Sequence, residues 1–339
     1  MNLQNILDSI QNGLTGNRKE DIEYLLEQEQ AYKNHEEAYV ILSFCSRLML
    51  DIMPEDTTQI LPEITAEKVK DILDHVRFNM FKDDFDTALH ISEDLVRRVE
   101  SSDVYQQEDK EGFFDFSEPM EELLYAFDKN RIGEITYASI HYSEIFFVYA
   151  DLLHRANRIE EARTYFEKAM RWNPANCKIA FEYIDIFQEQ GEEKQFYERT
   201  LQEFKYAFKT EDLAICYRNL GDYYAENEQY TIAATCYMIS LSYNENDRFI
   251  AASLNQIENI APEEFQAATP DLLEQYGLPQ GANEDVVGLS MYFGQRAFEK
   301  GELETAYYFL SIRYNLTEEE ELLELINDIY SQILHRPQA

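Results

Sequence analysis

Six histidines are the first residues to test for chemistry: His35, His75, His90, His141, His154 and His335. None lies in an H-E-x-x-H pattern, which would set two imidazoles on one helix face around zinc. His141 and His154 share one helical pattern but lie 13 positions apart, too far along it to share an ion. The four cysteines, Cys45, Cys177, Cys216 and Cys236, form no C-x-x-C pair. Three sit inside helical patterns, which reads as free structural thiols in a reducing compartment. A G-x-x-x-x-G-K-[ST] phosphate loop and a G-x-S-x-G nucleophile elbow are both absent. Acid pairs such as Asp83-Asp84 and Glu192-Glu193 have the residue types of an acid–base dyad. In so acidic a chain such a pair reads as a solvated turn. The expectation is therefore no catalytic residue, no metal site, no cofactor and a non-enzymatic role.

Charge narrows the partners. Lys and Arg number 29 against 66 Asp and Glu, a formal net charge of −37. A field of that sign repels phosphate backbones and anionic lipid. Nucleic acid and membrane surfaces are thus not expected partners, and a basic protein or peptide is. The same charge also serves solubility alone. The first residues, Met1-Asn2-Leu3-Gln4-Asn5, lack the basic start and apolar run of a secretory signal. The most apolar window, Tyr39 to Leu50, is broken by Ser43, Ser46 and Arg47 and falls short of the ~20 residues of a membrane span. A cytoplasmic location is expected.

The elements that would position a site are helices. Gly and Pro number only 11 and 8, too few for the turns of a β-rich fold of 339 residues. From Ser143 to Pro174, Phe146, Tyr149, Ala150 and Leu153 share one helix face. A turn follows at Asn157-Arg158-Ile159. Ala162, Phe166 and Ala169 then mark a second helix that Pro174 stops. The pattern recurs with Tyr217, Leu220, Gly221 and Tyr224, then Tyr230, Ala233, Tyr237 and Ser240. A divergent unit lies between, with Ala180, Tyr183 and Ile184, a turn at Gly191, then Phe196, Leu201 and Phe204. Another has Phe293-Gly294, Ala297 and Gly301 before Leu303, Ala306, Leu310 and Arg313. Phe85 and Ala88 after Asp83-Asp84 give half of a degenerate unit.

This order of large and small residues, with a period near 34, resembles the tetratricopeptide repeat. The likeness spans about residues 140–245 and 287–315, and weakly 69–100. It implies an all-α fold: a right-handed superhelical α-solenoid of antiparallel helix hairpins. Residues 1–102 form an N-terminal helical region with one degenerate hairpin. Residues 103–119, polar and then rich in Phe113, Phe114 and Phe116, read as a linker loop tucked onto the solenoid or as an exposed contact segment. Residues 120–339 form the main solenoid. Thr317 with Glu320 reads as a capping box opening a last helix, Leu322 to Ile329, that covers the end of the stack.

The resemblance also implies a groove lined by the first helix of each hairpin. Reading one position past the small residue gives Asp151, Asp185, Asp222 and Gln295. Four residues earlier on the same face stand Phe147, Phe181, Arg218 and Met291. An acidic stripe beside an apolar one suits a basic, partly apolar protein or peptide segment. The Asp residues also fit a merely solvated face, or pairing with nearby Arg and Lys. Some family members clamp a partner's C-terminal carboxylate with Lys, Asn and Arg. Here Lys178, Asn219 and Arg218 stand isolated among acids that would repel it. A peptide- or small-ligand-sensing regulatory solenoid is the alternative reading, and an enzyme with a scattered site is a third.

Overall fold

The computed structural model describes residues 3–33, 35, 37–52 and 65–335. The chain divides into two compact units, residues 1–63 and 64–339. In the first, α1 (Leu3–Asn12), α2 (Arg18–Tyr32) and α3 (Ala38–Ile52) enclose Ile6, Ile10, Leu25, Ile41 and Cys45. Ile6 and Ile10 lie four apart on one face of α1, as the helical spacing requires.

The second unit opens with the pair α4 (Ala66–Phe81) and α5 (Phe85–Glu100), then α6 (Asp103–Glu111) and α7 (Pro119–Asp128). Three consecutive hairpins follow. These are α8 (Tyr142–Arg155) with α9 (Ile159–Trp172), α10 (Cys177–Glu189) with α11 (Glu193–Glu203), and α12 (Thr210–Glu226) with α13 (Tyr230–Tyr243). Next come α14 (Arg248–Ile260) and the short α15 (Pro262–Gln266) and α16 (Leu272–Gln275). The chain ends in α17 (Glu284–Lys300), α18 (Leu303–Thr317) and α19 (Glu320–Leu334). Strand structure among the described residues is limited to one bridge, Phe114 to Tyr137. The fold is an all-α helical solenoid.

The hairpins share one closing device. Asp83, Asn157, Gly191, Glu228 and Gly301 all take φ between 57° and 75°, the left-handed turn that ends a helix. The next amide then reaches back five residues: Asp84 to Asn79, Arg158 to Leu153, Glu192 to Phe187, Gln229 to Tyr224 and Glu302 to Ala297, at 2.8–2.9 Å. Five turns of unrelated sequence thus make one hydrogen bond. The degenerate α4–α5 unit and the divergent α10–α11 unit are closed by the same geometry as the clear ones.

Small residues then let the paired helices touch. A Cβ built on Gly221 would lie 2.5 Å from the Tyr237 ring, and one on Gly294 would lie 2.7 Å from Leu310. Ala150 is fully buried at the same place in α8. Phe146, Phe166, Trp172, Phe196 and Tyr217 fill the spaces between helices and are fully buried. Burying side chains of this kind contributes about 1.5–3 kcal/mol each.

Two expectations need correction. Asp103–Glu111 is a helix, not part of a linker loop: Ser102 caps it by accepting from the Tyr105 amide at 3.2 Å, and Gly112 closes it in the left-handed region. The aromatic residues after it are tucked in. Phe114 and Phe116 are buried, stack on each other and lean on Tyr125. At the other end, Thr317 does not cap α19. It is the last residue of α18 and its hydroxyl donates to the Arg313 carbonyl, while Glu319 precedes α19. The α4–α5 hairpin, grouped by sequence with the N-terminal region, packs through α5 on α8.

Buried carboxyls serve as joints. Asp115 accepts from the Ser143 amide at 2.7 Å and so caps α8 from outside, where His141 makes no cap bond of its own. Burial pushes its carboxyl up to about 7. Burial likewise pushes Glu203, at the end of α11, up to about 8; Arg199 opposes the shift and Asp212 adds to it. Asp212 itself is raised to about 6, chiefly by burial.

Two predictions follow from these packings. Gly221→Ala should lower stability by about 1–3 kcal/mol, since the tethered Tyr237 ring cannot yield, despite the helix-propensity gain of Ala. Gly288→Ala, where nothing lies within 4 Å of a new Cβ, should raise it by about 0.4–1 kcal/mol; chemical denaturation of both variants measures the contrast. The second concerns pH. Asp115, Glu203 and Asp212 bind protons more tightly folded than unfolded, where carboxyls titrate near about 4. Stability should therefore fall as pH rises from about 4 to about 8. A melting series over that range should show the slope, and Glu203→Gln should flatten its upper part.

Candidate functional site

The helices α8, α10 and α12 open three successive hairpins. Each buries one face: Phe146, Tyr149 and Leu153 on α8, Tyr183, Ile184 and Phe187 on α10, and Tyr217, Leu220 and Tyr224 on α12. Their other faces lie side by side. His154 on α8 meets Glu189 on α10 at 2.7 Å, and Gln188 on α10 donates to Glu226 on α12 at 3.2 Å. The half-buried Asp151, Asp185 and Asp222 thus form one row across three helices.

Neighbours modify each carboxylate. Asp151 accepts from the Arg155 guanidinium at 3.0 Å, the local pairing that a charged face allows. Asp222 accepts from the Tyr237 hydroxyl at 2.6 Å. Burial raises Asp222, against that bond and the charge of Arg218. Burial also raises Asp185; Arg218 opposes the rise, and Glu189 and Asp222 add to it. Arg218 lies between these acids but gives its Nε and Nη2 to Asn219 Oδ1, at 3.2 and 3.0 Å.

Glu182 was missed by the column reading. It lies one turn before Asp185, is half-buried, and is raised by burial and by the charges of Asp151 and Asp185. The i, i+3 spacing on α10 was the available clue. Phe181, taken by sequence for the groove, is buried in the core instead, and Glu182 takes the open position. Phe147 is half-buried, with the Lys178 ammonium 5.1 Å over its ring. Lys178, on α10, is therefore tied to an aromatic of α8.

The last unit has other neighbours. Its α17 packs on α18 and α7. Met291 leans on the cluster formed by α17, α18 and α19, and Gln295 is exposed. The insertion of α14–α16 after α13 separates this unit from the other three in sequence.

The row carries charge against the helix dipoles. Glu189 and Glu226 are the last residues of α10 and α12, where the partial charge is already negative, and neither last turn holds a basic residue. An added cation would relieve each of these repulsions. Among the described residues no group of three His, Cys, Asp or Glu could hold a metal ion. No helix among them is long and apolar enough to cross a membrane.

A comparison with curated proteins finds no match. Among solved structures, the crystal structure of BtubC (BKLC) from P. vanneervenii is similar at 12% identity and a TM-score of 0.34, over 95% of this chain and 94% of that one. The tetratricopeptide repeat family model matches residues 143–176, which hold nearly all of α8 and α9. The α8–α9 hairpin thus matches the tetratricopeptide repeat, and the chain is an all-α helical solenoid that contains such a pair.

Proposed function

We propose that the protein is a non-enzymatic scaffold that binds a basic, partly apolar segment of another protein along α8, α10 and α12. One observation carries this reading: the row Asp151, Glu182, Asp185 and Asp222 is half-buried, and burial raises the carboxyls of Glu182, Asp185 and Asp222. Acids held partly out of water in mutual repulsion are a ready site for a guanidinium or ammonium group. Phe147 beside them offers the apolar contact. The charge of the whole chain favours approach of a cation.

Labelled peptides of three kinds, basic–apolar, neutral–apolar and acidic, read by anisotropy at low and high salt, would test this. The basic–apolar class should bind, and binding should weaken with salt because exposed charges are screened within about 10 Å at 0.1 M. The double variant E182Q/D185N should bind about fivefold to tenfold more weakly. It should also melt at a higher temperature than the parent, because two strained charges are gone. Equal binding of the acidic class, or unchanged affinity in the double variant, would sink the reading.

A further inference from the structure

Helix α19 carries two apolar stripes, and one of them is covered. Leu322, Ile326 and Ile329 are buried with Ala306 and Leu310 of α18. Leu323, Asn327, Tyr330 and Leu334 follow one another at steps of four, three and four, which sets them on a second stripe beside the first. That stripe is open. Leu323 is 40%, Tyr330 48% and Leu334 63% exposed, and Asn327 is exposed between them. Tyr330 is fixed against Tyr307 of α18, with ring centroids 5.5 Å apart. Beyond the stripe the helix surface turns polar, with the exposed Glu320, Glu324 and Ser331.

Spacing and charge together name the occupant. Steps of four and three residues are the seam of a pair of coiled helices, in which a single Asn among apolar residues sets register and pairing. The charges of this region are segregated along the sequence. Six acids stand between residues 318 and 328; residues 329–339 hold none, and their ionisable side chains are His335 and Arg336. A second copy laid parallel would set acids against acids. Laid antiparallel, the acidic half of each helix meets the acid-free half of the other. Leu323 then faces Leu334 of the second copy, and Asn327 faces Tyr330 of the second copy, an amide against a phenol that can bond to it. A two-fold axis between positions 328 and 329 relates the two helices, the closed symmetry of most homodimers.

We propose that the stripe Leu323, Asn327, Tyr330 and Leu334 is a self-association surface, and that a second copy of this chain covers it by antiparallel pairing of α19 with α19. A single helix pair buries less than the roughly 1,200–2,000 Å² of a standard interface, so the dimer is weak and its population follows protein concentration. Pairing also brings together two chains of net charge −37, so salt should strengthen it by screening their repulsion. A basic partner on the same stripe would show the opposite salt dependence.

Sedimentation velocity on the full chain, from about 1 to about 500 µM, should show a monomer–dimer equilibrium with a dissociation constant on the order of 10–100 µM. The dimer should be at least about threefold tighter at about 0.5 M than at about 0.15 M salt. The variant L323E/L334E should stay monomeric over the whole range and melt as the parent does, since both side chains are exposed in the single chain. Orientation is read with thiols. Cys45, Cys177, Cys216 and Cys236 are buried, so a cysteine placed on the stripe reports alone. On mild oxidation, L323C mixed with L334C should give the mixed disulfide, at least about fivefold in excess of either symmetric one. A chain that remains monomeric at every concentration overturns the proposal, and so does a dimer that survives L323E/L334E. A dimer that weakens with salt overturns it in favour of a charge-paired contact elsewhere. A symmetric L323C disulfide as the main product overturns antiparallel pairing.

Discussion

Everything in the repeat stack depends on how closely the two helices of a hairpin approach. One hairpin cannot bury its own apolar face, so it is stable only against neighbours. The approach is set twice. The left-handed residue after the first helix turns the chain back within three positions, and a glycine or alanine halfway along lets the second helix lie against it. With that spacing fixed, the aromatic residues have one width of gap to fill. Phe166 and Tyr183 accordingly stack between one hairpin and the next, and Phe204 meets Tyr217 across another junction. The same spacing brings residues 151, 185 and 222 into one row.

Much of this was legible in the sequence, because it is local. Tyr217, Leu220, Gly221 and Tyr224 announce a helix face and its point of close approach, and Asn157 and Gly191 announce the turns. What stayed hidden depends on contacts far apart in the chain. Phe181 looked like a groove residue because its spacing from Asp185 is right. Only the packing of α10 shows that Phe181 faces inward and Glu182 outward. Residues 103–111 looked like a loop because they lack apolar periodicity; Ser102 and Gly112 supply caps that outweigh it. The column was extended to Met291 and Gln295 on pattern alone, although the α14–α16 insertion lies between α17 and the three hairpins of the row.

A chain this acidic must also find places for carboxyls inside. Two of the buried ones take joints that need an acceptor. Asp115 caps the amide end of α8, and Glu121 gathers the Ser117 and Glu118 amides just ahead of α7 and the side chains of Asn173 and Asn176. Such bonds favour the ionised form, yet burial raises both carboxyls nonetheless. Desolvation is therefore the larger effect, and these joints hold by hydrogen bonding more than by charge.

Two groups of acids lie at opposite ends of the same helices, and the helix dipole distinguishes them. Asn173 and Asn176 precede α10, and Lys205 and Lys209 precede α12, where the helix N-terminus adds partial positive charge. The acids of α7 sit there with amides, lysines and dipoles in their favour. Glu189 and Glu226 close α10 and α12, where the dipole opposes them, and the acids of the row follow inward from those ends. One edge has satisfied its anions from within the chain. The other holds more anions than cations: Arg155 pairs with Asp151, but Lys178 is drawn to the Phe147 ring and Arg218 to Asn219. A fold seeking stability alone would gain from neutral residues in that row. On the proposed reading, they leave an electrostatic demand that a cationic partner would meet.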